Sequence, residues 1–71
     1  MNYSDWATEY EQQAEHLQNK LTALKEQRKN CKKADIFEEL SRRINSIYSM
    51  YLEAMHTARL LRERATEGLI L

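Results

Sequence analysis

Apolar side chains recur along this chain at alternating steps of four and three residues, the spacing that lines one face of a helix packed against another. In the first half Tyr3, Tyr10, Leu17, Leu24 and Cys31 form one rail, with Ala7, Ala14, Leu21 and Arg28 as the other. In the second half Phe37, Ile44, Tyr51, Ala58 and Ala65 alternate with Leu40, Ile47, Ala54 and Leu61. The pattern predicts an all-α fold: helices over about residues 4–30 and 35–67, a bend over about 31–34, and an apolar tail over 68–71, in one domain spanning 1–71.

A connection that short makes the two helices antiparallel neighbours, a coiled-coil-like hairpin. Their rails then pair rung by rung. Cys31 faces Phe37, Arg28 faces Leu40, Leu24 faces Ile44, Leu21 faces Ile47 and Leu17 faces Tyr51. Toward the open end Tyr10 meets Ala58, Ala7 meets Leu61 and Tyr3 meets Ala65, each a bulky residue opposite a small one, which keeps the axes evenly spaced. The rung of Ala14 with Ala54 implies either a close approach or a gap filled from outside. Arg28 is the one charge on a rail; its stem can cover Leu40 while the guanidinium reaches water or Glu39.

Punctuation agrees with these bounds. Ser4 or Asp5 can cap the first helix. Asp35 followed by Glu38 reads as a capping box for the second, and Gly68 as its stop. Leu69, Ile70 and Leu71 are then free to fold back or to dock on a partner.

The second helix has more apolar surface than one neighbour covers. Tyr48, Leu52 and Met55 make a further stripe beside Ile44 and Tyr51, while Ile36 and Met50 flank the other side of the seam and Trp6 flanks the first helix. A chain of 71 residues folded as a lone helix pair buries little. We therefore expect a homodimer, two hairpins forming a four-helix bundle. Its self-association face comprises Tyr48, Tyr51, Leu52 and Met55, with Ala54 and Ala58 letting the second helices approach.

Composition fits a helical chain, with no proline, one glycine and 31% charged residues. The eleven Lys and Arg balance eleven Asp and Glu, yet they fall in blocks. Asp5, Glu9, Glu11 and Glu15 open the first helix, where folding sets them beside Arg59, Arg62 and Arg64. Lys and Arg close it, beside Asp35, Glu38 and Glu39, and each block suits the helix dipole at its end. No apolar run reaches membrane-spanning length, and the opening residues lack the features of a secretion signal. The expectation is a cytoplasmic protein without a membrane partner. A single cysteine, Cys31, allows no internal disulfide and reads as a reduced thiol closing the core at the bend.

Chemistry is sparse. Glu53 and His56 match the Glu-x-x-His spacing of di-iron bundles, but the seam puts both on the outer face, and no inward glutamates on the first helix complete a ligand set. His16 also points outward. No phosphate loop, nucleophile elbow or inward carboxylate pair is present, so neither an enzyme nor a cofactor is expected. The best alternative surface is basic: Lys25, Lys29, Lys32, Lys33, Arg42 and Arg43 cluster near the bend and could meet a phosphate backbone.

The segment Tyr48 to Arg62, with Tyr3-Ser4-Asp5-Trp6, resembles small, uncharacterised helical-hairpin proteins of gut Firmicutes and their mobile elements. In size and architecture the chain is also similar to hairpin dimers such as the plasmid copy-number regulator Rop, which binds RNA. The first resemblance implies a place accessory to a phage or mobile-element regulatory complex and brings no catalytic residue. The expected function is a non-enzymatic homodimeric module for protein–protein interaction or assembly, with further proteins meeting the bundle surface or the tail. The alternative is a small DNA- or RNA-binding regulator using the bend.

Overall fold

The computed structural model describes residues 2–70, and side chains through Glu67. Two helices, α1 (Tyr3–Lys29) and α2 (Ala34–Ile70), pack side by side as an antiparallel hairpin, a rod of 57 × 15 × 14 Å. The expected all-α hairpin is present, and its bend occupies residues 30–33, one residue earlier than the expected 31–34.

The register follows the rails. Leu21, Leu24, Leu40 and Ile44 form one buried cluster, with Cys31, Ile47 and Tyr51 packed against it. Nearer the open end Ala7, Ala14, Ala54, Ala58 and Leu61 are buried. Ala7 is completely covered and Ala14 nearly so, so the alanine rung is a close approach. Both ends of the rod lie near the expected alignment: Arg28, assigned opposite Leu40, meets Phe37 and Ser41, and Arg62, next to the expected partner of Ala7, reaches Ser4, Thr8 and Glu11.

Two rail positions are wetter than the periodicity predicts. Tyr3 and Phe37 stand at the two extremities of the seam, Tyr3 as the first residue of α1 and Phe37 level with the bend, past the last residue of α1, and both are exposed. Tyr3 leans on Trp6, ring centroids 6.3 Å apart. Phe37 carries the Arg28 guanidinium 5.7 Å from its ring centroid.

The ends of the helices also differ from expectation. Asn2, rather than Ser4 or Asp5, caps α1: its side-chain oxygen accepts from the Asp5 amide at 2.9 Å and its carbonyl from the Trp6 amide at 3.1 Å. Ser4 and Asp5 therefore lie inside the first turn, where the Asp5 charge still suits the dipole. α1 closes as the Asn30 amide donates to the Glu26 carbonyl and the Cys31 amide to that of Arg28, both at 3.2 Å.

α2 begins one residue before the proposed capping box. The Phe37 amide donates to the Lys33 carbonyl at 2.9 Å, which makes Lys33 the residue before the first turn and places Asp35 within it. Asp35 thus acts through its charge on the helix terminus rather than as a cap. At the far end Gly68 does not stop the helix, which continues to Ile70. No described residue adopts the left-handed backbone that a glycine stop requires. The side chains of the proposed tail, Leu69 to Leu71, lie outside the described residues.

The buried alanines hold the two axes close, so enlarging one should wedge the hairpin open. We expect Ala14→Leu to lower unfolding stability by about 1–3 kcal/mol, and Leu24→Ala by about 2–4 kcal/mol. Leu60→Ala, at an exposed position, should stay within about 0.5 kcal/mol. Urea unfolding followed by circular dichroism measures all three at one protein concentration.

Candidate interaction surfaces

Three regions carry the residues singled out by sequence, and the hairpin sorts them differently from one another. The first runs along the middle of α2. Steps of four and three residues put Tyr48, Leu52 and Met55 in one row beside the seam, and they are 47%, 49% and 41% exposed. Tyr51 is half-buried against the core cluster, and its ring stacks on that of Tyr48, centroids 6.2 Å apart and planes 18° off parallel. The stripe is thereby tied to the core through one aromatic pair. Ala54 and Ala58, placed on the seam rails and also assigned to this face, are covered by the hairpin seam at 6% and 3% exposure. They face α1 because they continue the seam set by Ile44, Ile47 and Tyr51, whereas Tyr48 and Met55 are one position further around the helix.

The opposite flank has an open groove between the helices, lined by Glu9, Gln12, Gln13, His16, Leu17 and Met50. Its walls mix carboxylate, amide and imidazole groups with the apolar side chains of Leu17 and Met50. Ile36 and Leu60 are exposed elsewhere on α2, and Trp6 on α1.

The second region is the bend. Lys25, Lys29, Lys32, Lys33, Arg42 and Arg43 are all exposed, and none forms a salt bridge among the described residues. The expected pairing of this block with Asp35, Glu38 and Glu39 is likewise not formed. Those carboxylates are exposed too, and separated surface charges gain little from closing a pair. The half-buried Arg28 donates to Ser41 Oγ at 3.3 Å while stacking on Phe37. In place of the water or Glu39 expected for it, the guanidinium meets a hydroxyl and a ring. Cys31 is free and half-buried, its thiol donating to the Lys33 carbonyl at 3.2 Å.

The third region was only partly visible in the sequence. Arg62 crosses the seam near the open end and donates to three side chains of α1: Ser4 Oγ at 2.9 Å, Thr8 Oγ1 at 3.0 Å, and Glu11 through both carboxylate oxygens at 2.6 and 3.4 Å. Thr8 in turn donates to the Ser4 carbonyl at 3.1 Å, so its hydroxyl is used in both directions. Proximity of the acidic opening of α1 to Arg62 was expected from the charge blocks. The fork was not, although Ser4, Thr8 and Glu11 sit at i, i+4 and i+7 and hence on one face. The hydrogen bonds from Arg62 are the main cause holding the Glu11 carboxyl below its ordinary value, against an opposing desolvation, and Glu11 raises Arg62 in the same way.

Glu53 and His56 both point to solvent, and no group of three or more metal-ligating side chains occurs among the described residues. Nor does any described helix have the length and apolarity to cross a membrane.

Because folding lowers the Glu11 pKa, the Arg62 pair contributes its full stability above the ordinary carboxylate range and loses it as pH falls through the depressed value. Protection factors of the amides near Ser4 to Glu11, referred to the intrinsic exchange rate at each pH, should therefore fall on acidification more in the wild type than in Glu11→Gln, in which the difference between neutral and acidic pH shrinks. Equal acid sensitivity in the two proteins would contradict the clamp.

Comparison with known proteins gives no match for this chain, whether to a family model, a curated protein or a solved structure.

Proposed function

We propose that this chain is a non-enzymatic helical module that works as a homodimer, two hairpins joined into a four-helix bundle for protein–protein interaction or assembly. The observation that carries the reading is the row of Tyr48, Leu52 and Met55, three large apolar side chains left about half exposed on a helix whose other face is already packed. The economy of the hairpin supports it. Among the described residues four of the nine buried core residues are alanine, and no large side chain is fully covered, so the fold gains little from burial in a single copy. Covering the α2 row with the same row of another copy adds apolar burial that the lone hairpin lacks, and the isologous contact closes on itself instead of propagating.

A second reading rests on a separate observation: six exposed Lys and Arg side chains near the bend that close no ion pair among the described residues. Such a cluster suits a phosphate backbone, and this reading makes the chain a small DNA- or RNA-binding regulator. Asp35, Glu38 and Glu39 stand among the same residues and weaken the field, and for that reason it ranks second.

Met55→Glu places a charge in the row without touching the seam, and we expect it to lower the dimer mass seen by sedimentation at low micromolar protein while helicity is retained. An unchanged sedimentation profile removes this face from the interface. For the second reading, retardation of mixed DNA or RNA at low salt should vanish in a Lys29→Gln, Lys32→Gln, Lys33→Gln variant. Absence of any wild-type retardation rejects it.

A further inference from the structure

We infer that the second copy lies antiparallel to the first, on a two-fold axis passing beside Leu52, so that the bend of each hairpin sits next to the open end of the other. This rests on the homodimer reading above and adds what that reading leaves free, the direction in which the partner runs.

The first observation is where the apolar row sits. Leu52 is the central residue of α2 (Ala34–Ile70), and Tyr48 and Met55 lie on either side of it. An axis perpendicular to the rod at that point brings Leu52 onto its own copy and Tyr48 onto the partner's Met55, an aromatic ring against a thioether, twice. A central row makes two antiparallel rods overlap along their whole length, whereas a row displaced toward either end would leave both ends uncovered. A parallel pair overlaps fully wherever the row lies, so central placement has a consequence only for the antiparallel one.

The second observation is charge. The level of Leu52 crosses α1 near His16, one step from the rung of Leu17 with Tyr51, and divides the rod in two. Residues 16–52, the bend half, hold eight Lys and Arg against four Asp and Glu. The remaining residues, the open half, hold three against seven. The chain is neutral as a whole, yet its halves carry excesses of equal size and opposite sign. The one salt bridge among the described residues, Arg62 with Glu11, lies inside the open half and leaves the imbalance between halves intact. Stacked parallel, two copies set like excess against like. Stacked antiparallel, each cationic half faces an anionic one. Helices in contact are about 10 Å apart, close to the screening length at physiological salt, so the difference is damped but keeps its sign. Electrostatics of this kind select orientation more than they add affinity.

Single-cysteine variants read the direction. In a Cys31→Ser background, Leu52→Cys and Lys32→Cys each introduce one exposed thiol, at the axis and at the bend. In the antiparallel dimer Leu52→Cys oxidises to a covalent dimer. Lys32→Cys, its copies about 50 Å apart by helix rise, should form one roughly tenfold or more slowly. A nitroxide at Lys32→Cys should give a dipolar distance near about 50 Å. Rapid closure of both variants with a label distance below about 20 Å overturns the orientation and leaves the homodimer standing. A dimeric mass without closure of Leu52→Cys overturns the axis. A monomeric mass with neither variant closing removes the homodimer reading, and this inference with it.

Discussion

The close approach of α1 and α2 along an alanine-lined seam is the constraint from which the remaining features follow. Near the bend the seam is filled by Leu21, Leu24, Leu40 and Ile44. Beyond Leu17 it narrows to Ala7, Ala14, Ala54 and Ala58, with Leu61 as the single large buried side chain among the described residues. Small residues let the helices come together but give little apolar area in return. The polar fork of Arg62 stands at this thinner end, bonded to Ser4, Thr8 and Glu11. The two ends of one seam are thus held by different physics, burial at the bend and charge-assisted hydrogen bonds at the opening.

The same close approach explains why α2 has a face to spare. Once Ala54 and Ala58 are drawn into the hairpin, the large apolar residues one position further around cannot reach α1 and remain in solvent. Tyr51 marks the boundary, packed on the core with one side and stacked on Tyr48 with the other. A helix that supports two packing directions is what a four-helix bundle requires of its inner members, and the proposed homodimer uses α2 in that way. The opposite charge excesses of the two halves then bear on direction, a property that neither the overall neutrality nor any single ion pair of the chain would reveal.

Much of the architecture was legible because heptad spacing is a strong and local signal. Leu21, Leu24, Leu40, Ile44, Ala7, Ala14, Ala54, Ala58 and Leu61 were all placed on rails and are all buried. Errors gathered at the ends, where local rules compete. Asn2, Ser4 and Asp5 are all able N-caps, and only the backbone path shows that Asn2 takes the amide of Asp5. Asp35 and Glu38 fit a capping box in spacing, but Lys33 supplies the carbonyl that starts α2. Gly68 permits a stop without imposing one, because glycine only removes the penalty for left-handed backbone. Phe37 continues the period beyond the point where α1 ends, and Tyr3 is the first residue of its own helix.

The sequence by itself determined that there are two helices, where they turn, which residues face inward and in what register they meet, since periodicity and a short connection depend only on the order of side chains. Tertiary structure alone decided which long side chains reach across. Arg28 chose Ser41 and Phe37 over Glu39, and Arg62 gathered Ser4, Thr8 and Glu11. It also decided that Ala54 and Ala58, offered by the sequence both to the seam and to a second copy, are covered by the hairpin itself. Those outcomes turn on the distance between the helix axes and the rotation of each helix about its own, which no linear spacing encodes.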